Sequence, residues 1–422
     1  MPVQSARGTR DFLPAAMHAR NHVLGRVREV FAAFGFDPLE TPAFERIETL
    51  TGKYGDEGEK LIFKILERGE GGREGKADLG LRYDLTVPLA RVMAQNQGLP
   101  LPFKRYQMQP VWRADRPQKG RFREFVQCDA DIVGSASPLA DAECLAVADA
   151  ALAGLGFSDF TIHVNHRALL SALVAHAGGS EREGEVLVAL DKLDKIGWDG
   201  VAEELARRGI PDAPFRALLA DPANLDAFRA VAPGPVAELE LVLSHARSLG
   251  ATRIAFDATL ARGLGYYTGP VFEARLGDGG VGSVAGGGRY DGLIGMFSGK
   301  QVPAVGVSLG IERLLVVMEE RGTLPKETTR TRAFVVCFDD DLVVDALALS
   351  RDLRTKGINT EFWLGEPGNI GKQLKYAAAR GIPFAVIRGP DEIAAGTVKV
   401  KDLRSGAQRT LPRDNFHGAL DA

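Results

Sequence analysis

An α+β protein is expected from three features of this 422-residue chain. Two long runs rich in β-formers, FKRYQMQPVW and FREFVQCDADIVG, flank a charged loop, as in a pair of antiparallel strands. A block rich in Ala, Leu, Glu and Arg (168–250) interrupts strand-like, glycine-dense sequence on either side of it. From residue 331 onward strand and helix patterns alternate over about 90 residues, which implies a small α/β domain. Together they predict a core on a mostly antiparallel sheet, a helical insertion and an α/β tail. The expected division is 1–167 and 251–322 for the two parts of the core, 168–250 for the insertion, 323–330 for a linker and 331–422 for the tail.

Each element has its own signal. Val23, Val27, Val30, Phe31 and Phe34 follow a 3.6-residue period after Pro14, and Gly35 is a C-terminal stop. In FDPLETPAFERIETL, Pro38 and Pro42 favour extended chain at a sheet edge. GEGGREGKADLG (69–80) reads as a glycine-rich loop or hairpin tip, and LRYDLTVPLARVMAQ as a short strand and a helix opening near Pro88. Residues 138–153 read as an alanine-rich amphipathic helix on a sheet. Breaks at Gly178-Gly179, Pro211 and Pro233-Gly234-Pro235 divide the insertion into several short helices. RIAFDATLARGLGYYTGPVFEARL, GSVAGGGRYDGLIGMF and VPAVGVSLG return to strand, and IERLLVVMEE is a helix. In the tail, AFVVCF, INTEFWL, PFAVIRG, TVKVKDL and AQRTL are strands, and NIGKQLKYAAARG is a helix capped by Asn369 and stopped by Gly381.

Composition removes several function classes. The formal net charge of −3 excludes a globally basic nucleic-acid coat but leaves room for a local basic patch. Cys128, Cys144 and Cys337 are far apart and form no CxxC, which disfavours a zinc ribbon or a secreted disulfide framework and favours a reducing compartment. No apolar run reaches about 18 residues, so no membrane span is expected. MPVQSARGTRDFLP has no apolar stretch of the secretory kind.

Three segments carry chemistry. KRYQMQPVWRADRPQKGRFR (104–123) holds seven basic residues and one acid, Asp115. Such a loop attracts phosphates, although by charge alone it is equally a solvated hairpin. LARGLGYYTGPVFE (260–273) sets an arginine and two tyrosines among glycines, which suits either a close backbone approach to a ligand or an aromatic sheet edge. GSVAGGGRYDG (282–292) has neither the Walker ending nor a GxGxxG in a βαβ context. His163 and His166 lack further ligands in sequence, and no GxSxG is present, so metal-ligand and serine-nucleophile sites are not expected.

Across the whole chain these segments resemble the histidyl-tRNA synthetase family of class II aminoacyl-tRNA synthetases. GTRDFLP is similar to the family's opening. FDPLETPAFERIETL resembles the first class II motif, with Pro42 as its proline. WRADRPQKGRFREFVQCDADIVG resembles the second motif and PAVGVSLGIERLL the third. LARGLGYYTGPVFE resembles the histidine signature, with Gly265 where the family often has Asp or Ser.

The resemblance implies a class II core on a six- to seven-stranded sheet and a C-terminal anticodon-binding domain. It also implies a cytoplasmic homodimer whose substrates are L-histidine, ATP with Mg2+, and the histidine tRNA. The substrate carboxylate is itself the nucleophile in adenylate formation, so catalysis reduces to positioning and neutralising phosphate charge. Arg113 and Arg262 are the implied catalytic arginines. Arg113, Asp115, Arg121, Phe125 and Arg313 correspond to the ATP-binding positions, with no protein side chain assigned to a metal. Asp84, Thr86 and Gln127 match the positions that take the α-amino group. Asp131 and Tyr267 match those that read the imidazole, with Tyr266 and Tyr290 beside them. A neutral imidazole offers one donor and one acceptor, which a carboxylate and a phenol can satisfy. Arg116, Gln118 and Lys119 are placed to meet the tRNA acceptor stem. The tail has fourteen basic and twelve acidic residues from 330 onward, so its assignment rests on resemblance rather than on charge. The rival expectation is a synthetase-like regulatory subunit of ATP phosphoribosyltransferase. RGLGYYTG and the last 90 or so residues argue against it.

Overall fold

The computed structural model describes residues 3–53, 58–190, 192–261, 266–277 and 281–420. Its contacts form two compact units: Met1–Asp11 with Val23–Thr323, and Phe12–His22 with Leu324–Ala422.

The first unit carries strands β1 (Asp37–Pro38), β2 (Phe44–Arg46), β3 (Lys64–Leu66), β4 (Ala77–Leu81), β5 (Phe103–Trp112), β6 (Glu124–Val133), β7 (Phe160–His166), β8 (Ile254–Phe256), β9 (Pro270–Leu276), β10 (Ser283–Arg289) and β11 (Ala304–Gly310). Eight of them form one sheet in the order β1-β5-β6-β11-β10-β9-β7-β8, and β2-β4-β3 form a small second sheet. The expectation of a six- to seven-stranded sheet is therefore corrected to eight strands in a mixed sheet. The six inner strands are antiparallel, as read from the sequence. The two edges, β1 on β5 and β8 on β7, are parallel. They hold two and three residues, too few to show the period-two alternation by which a strand is read.

β5 and β6 pair residue for residue from Phe103↔Val133 to Trp112↔Glu124. The loop between them turns tightly where Gln118 and Arg121 exchange backbone hydrogen bonds. Gly120 there has φ +69, a conformation that favours glycine. The helix Pro138–Gly154 departs from the amphipathic expectation. Eleven of its residues, from Ala140 to Leu152, are buried, so it is a core helix. It contacts β11, β6 and the helix Pro233–Ser248. Short helices fill the stretch from Arg167–His176 to Pro233–Ser248.

The second unit carries β12 (Ala333–Val335), β13 (Thr360–Phe362), β14 (Phe384–Ile387), β15 (Thr397–Asp402) and β16 (Gln408–Pro412), in the order β13-β12-β14-β15-β16. Both faces of β12 are covered. Ala333 and Val335 share a cluster with Leu349 and Leu353 of the helix Val343–Thr355. Phe334 shares one with Ala377 of the helix Ile370–Ala379. Two-sided burial explains the unbroken apolar run AFVVCF. Asn369 caps the second helix by accepting from the Lys372 N–H at 3.0 Å.

Candidate active site

A cavity of about 580 Å³ opens on the face of the large sheet formed by β6, β11, β10 and β9. Alternation along β6 turns Phe125, Gln127, Asp129 and Asp131 into it. At about 3.4 Å per residue, Phe125 and Asp131 stand about 20 Å apart along the strand. The glycines of β10 and β11 lie beside these side chains on the same face of the sheet. A Cβ on Gly306 would stand 2.0 Å from Asp131 Oδ1, and one on Gly288 would stand 2.9 Å from the Tyr267 ring. The glycine-dense sequence thus makes room for the side chains that fill the cavity.

One end is acidic and aromatic. Asp131 is 3% exposed. Tyr290 Oη donates to its Oδ1 at 2.5 Å, and Arg105 Nη2 lies 2.8 Å from its Oδ2. Burial raises the Asp131 pKa, while Arg105 and the Tyr290 hydrogen bond pull it down. Two residues along, Asp129 has a pKa raised to about 7, by burial first; Arg105 opposes the rise and the charges of Asp131 and Asp84 add to it. Ser308 Oγ accepts from Gln127 Nε2 at 3.0 Å and bonds the Asp129 carboxylate. Asp129 Oδ1 and Gln127 Oε1 are buried acceptors without hydrogen-bond partners. Asp84 accepts from the Val87 N–H at 3.0 Å at the start of the helix Thr86–Gln95, which also presents Thr86 to the cavity. The Tyr266 and Tyr267 rings are 4.6 Å apart, and Tyr266 meets Tyr290 edge-on at 6.3 Å. Burial raises the Tyr266 and Tyr290 phenols well above their ordinary value, so both are neutral donors.

The other end is basic. The Arg113 guanidinium lies 4.3 Å from the Tyr83 ring centroid and 5.2 Å from that of Phe125, and its Nε donates to the Tyr83 carbonyl at 3.0 Å. Arg121 grips Asp115 with two bonds of 3.0 and 3.1 Å. Arg313 donates to the Ser283 carbonyl. The opening segment braces this end: Arg123 N–H donates to the Gly8 carbonyl at 2.8 Å, and Arg10 pairs with Glu312 while lying 3.4 Å over the Phe122 ring. Among the described residues no group of three or more His, Cys, Asp and Glu is set to hold a metal ion.

Twelve of the residues singled out in the sequence line this one cavity: Asp84, Thr86, Arg113, Asp115, Arg121, Phe125, Gln127, Asp131, Tyr266, Tyr267, Tyr290 and Arg313. Arg116, Gln118 and Lys119 do not; they are exposed on the β5–β6 loop, where Lys119 pairs with Glu320. Arg262 and Gly265 lie outside the described residues. Sequence reasoning misses Asp129, although the period-two spacing Gln127-x-Asp129-x-Asp131 contains it. Arg105 counts in the basic run but has no role there, because its cross-strand partner cannot be read from sequence.

Residues 8–314 match the family model described as Histidyl-tRNA synthetase, and residues 332–422 match that of an anticodon binding domain. A curated histidine–tRNA ligase from Cytophaga hutchinsonii is 44% identical over 95% of this chain and 96% of its own length. One from Gloeobacter violaceus is 42% identical, covering 96% and 95%. The crystal structure of a histidyl-tRNA synthetase from a Nostoc species superposes with a TM-score of 0.85 at 32% identity, covering 100% of this chain and 99% of that one.

Proposed function

The chain belongs to the histidyl-tRNA synthetase family, and from that premise we propose a role for each part of its cavity. The activity is ATP-dependent ligation of histidine to its tRNA through a histidyl-adenylate. The regulatory-subunit alternative is not favoured, since the ligase relatives align with 95% and 96% of the chain.

The observation that carries the assignment of roles is the polarity of the cavity. Asp84, Asp129 and Asp131 stand at one end, and Arg113, Arg121 and Arg313 at the other. Histidine brings an ammonium and an imidazole N–H, and ATP brings phosphates, so each end suits one substrate. Asp84, Thr86 and Gln127 receive the α-ammonium, supported by the unpartnered Gln127 Oε1. Asp131 accepts from one imidazole nitrogen and the Tyr267 phenol faces the other. Buried polar groups set this way reject analogues that leave them unpaired.

In the first step a histidine carboxylate oxygen attacks the α-phosphorus of ATP. The new O–P bond forms as the bond to the β-phosphate bridging oxygen breaks, and pyrophosphate leaves. Arg113 neutralises charge growing on the α-phosphate, with Arg262 as its partner from the histidine signature. Guanidinium suits this work because it is planar and stays charged. Phe125 stacks the adenine and Asp115 bonds it, which requires Asp115 to share or release Arg121. Arg121 and Arg313 hold the remaining phosphates. Magnesium bound to the triphosphate would supply further charge screening. In the second step a hydroxyl at the tRNA 3′ end attacks the adenylate carbonyl and AMP leaves. Arg116, Gln118 and Lys119 guide the acceptor stem, the C-terminal domain reads the anticodon, and two chains pair through the segment around Pro42.

Amino-acid-dependent ATP–pyrophosphate exchange tests this reading on the purified chain with each of the twenty amino acids. Exchange with histidine alone is expected. No exchange with any of them, from folded protein, would overturn it and favour the regulatory subunit.

A further inference from the structure

Beside the acidic end of the cavity, on the same face of the sheet, lies a cation that the cavity does not expose. Arg105 is 0% exposed and is not among the lining residues. It stands directly across from Asp131 in the β5–β6 ladder. Its Nη2 is 2.8 Å from Asp131 Oδ2 and donates to the Leu85 carbonyl at 3.2 Å. Its Nη1 donates to Gln107 Oε1 at 3.2 Å. Gln107 is itself fully buried and held by Thr41 Oγ1 at 2.9 Å and Gln109 Oε1 at 2.5 Å. Gln109 Oε1 in turn accepts from Arg82 at 3.1 Å. The guanidinium is therefore fixed by a buried polar chain.

We propose that Arg105 is a positioning residue for histidine recognition: from the neighbouring strand it holds the Asp131 carboxylate in the orientation in which that carboxylate accepts the imidazole N–H. This rests on the reading of Asp131 as the imidazole acceptor. Asp131 is held at Oδ1 by the Tyr290 hydrogen bond and at Oδ2 by the Arg105 charge, in an ion pair of 2.8 Å that leaves Oδ2 without a hydrogen-bond donor, so the carboxylate has lone pairs for a third partner. Fold stability alone does not call for the arrangement, since a buried ion pair is commonly replaced by apolar side chains without loss. Arg105 also faces Asp129, so it is the counter-charge of two buried carboxylates on one wall.

The groups bearing on this pair come from every element around it. Arg105 lies on β5, Asp129 on β6, Tyr290 just beyond β10, Cys144 on the helix Pro138–Gly154, and Asp84 ahead of the helix Thr86–Gln95. Without Arg105 the two acids hold a proton to higher pH. A protonated Asp131 presents a donor where an acceptor is needed.

The test is histidine-dependent ATP–pyrophosphate exchange by Arg105→Met, Arg105→Lys and Asp131→Asn, from about pH 5.5 to about pH 9. Arg105→Met is expected to raise the histidine KM at least about tenfold near pH 7, the scale of one charged hydrogen bond. The ATP KM should stay within about twofold. The acid limb of kcat/KM for histidine should move to higher pH. Arg105→Lys, which keeps the charge, should return that limb toward the wild type. Free histidine titrates identically in every assay, so the difference between proteins belongs to the enzyme. An unmoved limb with a uniform loss at every pH would mean a merely structural role and overturn the proposal. If Arg105→Met does not fold, Arg105→Gln, which removes the same charge with a polar side chain, takes its place, and an unmoved limb there overturns the proposal equally. Asp131→Asn separates the two readings. Wild-type histidine KM in that variant sinks the role of Asp131 itself. A raised KM there, with no effect from Arg105→Met, sinks the role of Arg105 alone.

Discussion

Gly306→Ala places one methyl group against Asp131, the carboxylate proposed to read the imidazole. The new Cβ would stand 2.0 Å from Asp131 Oδ1, 2.6 Å from its Cγ and 3.1 Å from the Ala130 carbonyl oxygen. The Ala130 oxygen is backbone within a ladder, so the side chain must give way, by more than about 1 Å to reach ordinary contact. Asp131 then loses its alignment with Tyr290, Arg105 and the bound imidazole. Losing one hydrogen bond to a charged group is worth about 1.5–3 kcal/mol. At about 1.4 kcal/mol per decade, that raises the histidine KM about 10- to 100-fold. Crowding a filled wall adds about 1–3 kcal/mol of destabilisation, visible in urea unfolding. The arginine end of the cavity is untouched, so the ATP KM should hold. Steady-state pyrophosphate exchange with histidine and ATP varied separately gives both constants. A folded Gly306→Ala enzyme with a histidine KM within twofold of the wild type would refute the reasoning.

Three further outcomes are expected. Asp129 is raised to about 7 in the folded chain, above its unfolded value, so the native state holds its proton more tightly and stability falls as pH rises between about 4 and about 7. Asp129→Asn should therefore stabilise the protein more at pH 8 than at pH 5, with a slope of at most about 1.4 kcal/mol per pH unit; urea midpoints at the two values check it. Asp141 and Arg289, 0% and 5% exposed at the side chain, are joined by bonds of 2.5 and 3.1 Å, so Asp141→Asn should cost about 3–5 kcal/mol in unfolding free energy. A cost below about 1 kcal/mol would show that the Ser135 and Ser137 carbonyls satisfy Arg289 on their own. Replacing Arg116 and Lys119 together by alanine should weaken aminoacylation of tRNA and leave pyrophosphate exchange intact. The salt dependence of tRNA binding should become shallower, by about one unit of slope for each phosphate that these side chains neutralise.

Much of the fold is legible because local signals are strong. The β-forming composition of FREFVQCDADIVG predicts β6, and the apolar run AFVVCF predicts the buried β12. The proline signal at Pro38 marks an extended edge, but nothing in two residues can say that it pairs in parallel with β5. The amphipathic reading of the helix at 138–153 fails because alanine fits either a solvated or a buried face, and only packing on β11 and the helix Pro233–Ser248 decides between them. At the cavity, charged and aromatic residues flagged by spacing and resemblance gather around one space. What sequence cannot reach is the row of side chains beside it on the neighbouring strand. Arg105, Gln107 and Gln109 look like ordinary polar residues in a strand, and their meaning lies in cross-strand register and burial.

The arrangement of both substrates can be seen in a crystal structure with a non-hydrolysable histidyl-adenylate analogue. The expected density sets the imidazole between Asp131 and Tyr267, the α-phosphate mimic against Arg113, and the adenine on the Phe125 ring. An imidazole bound away from Asp131, or an adenine at the tyrosine end, would contradict the polarity from which every role here is derived.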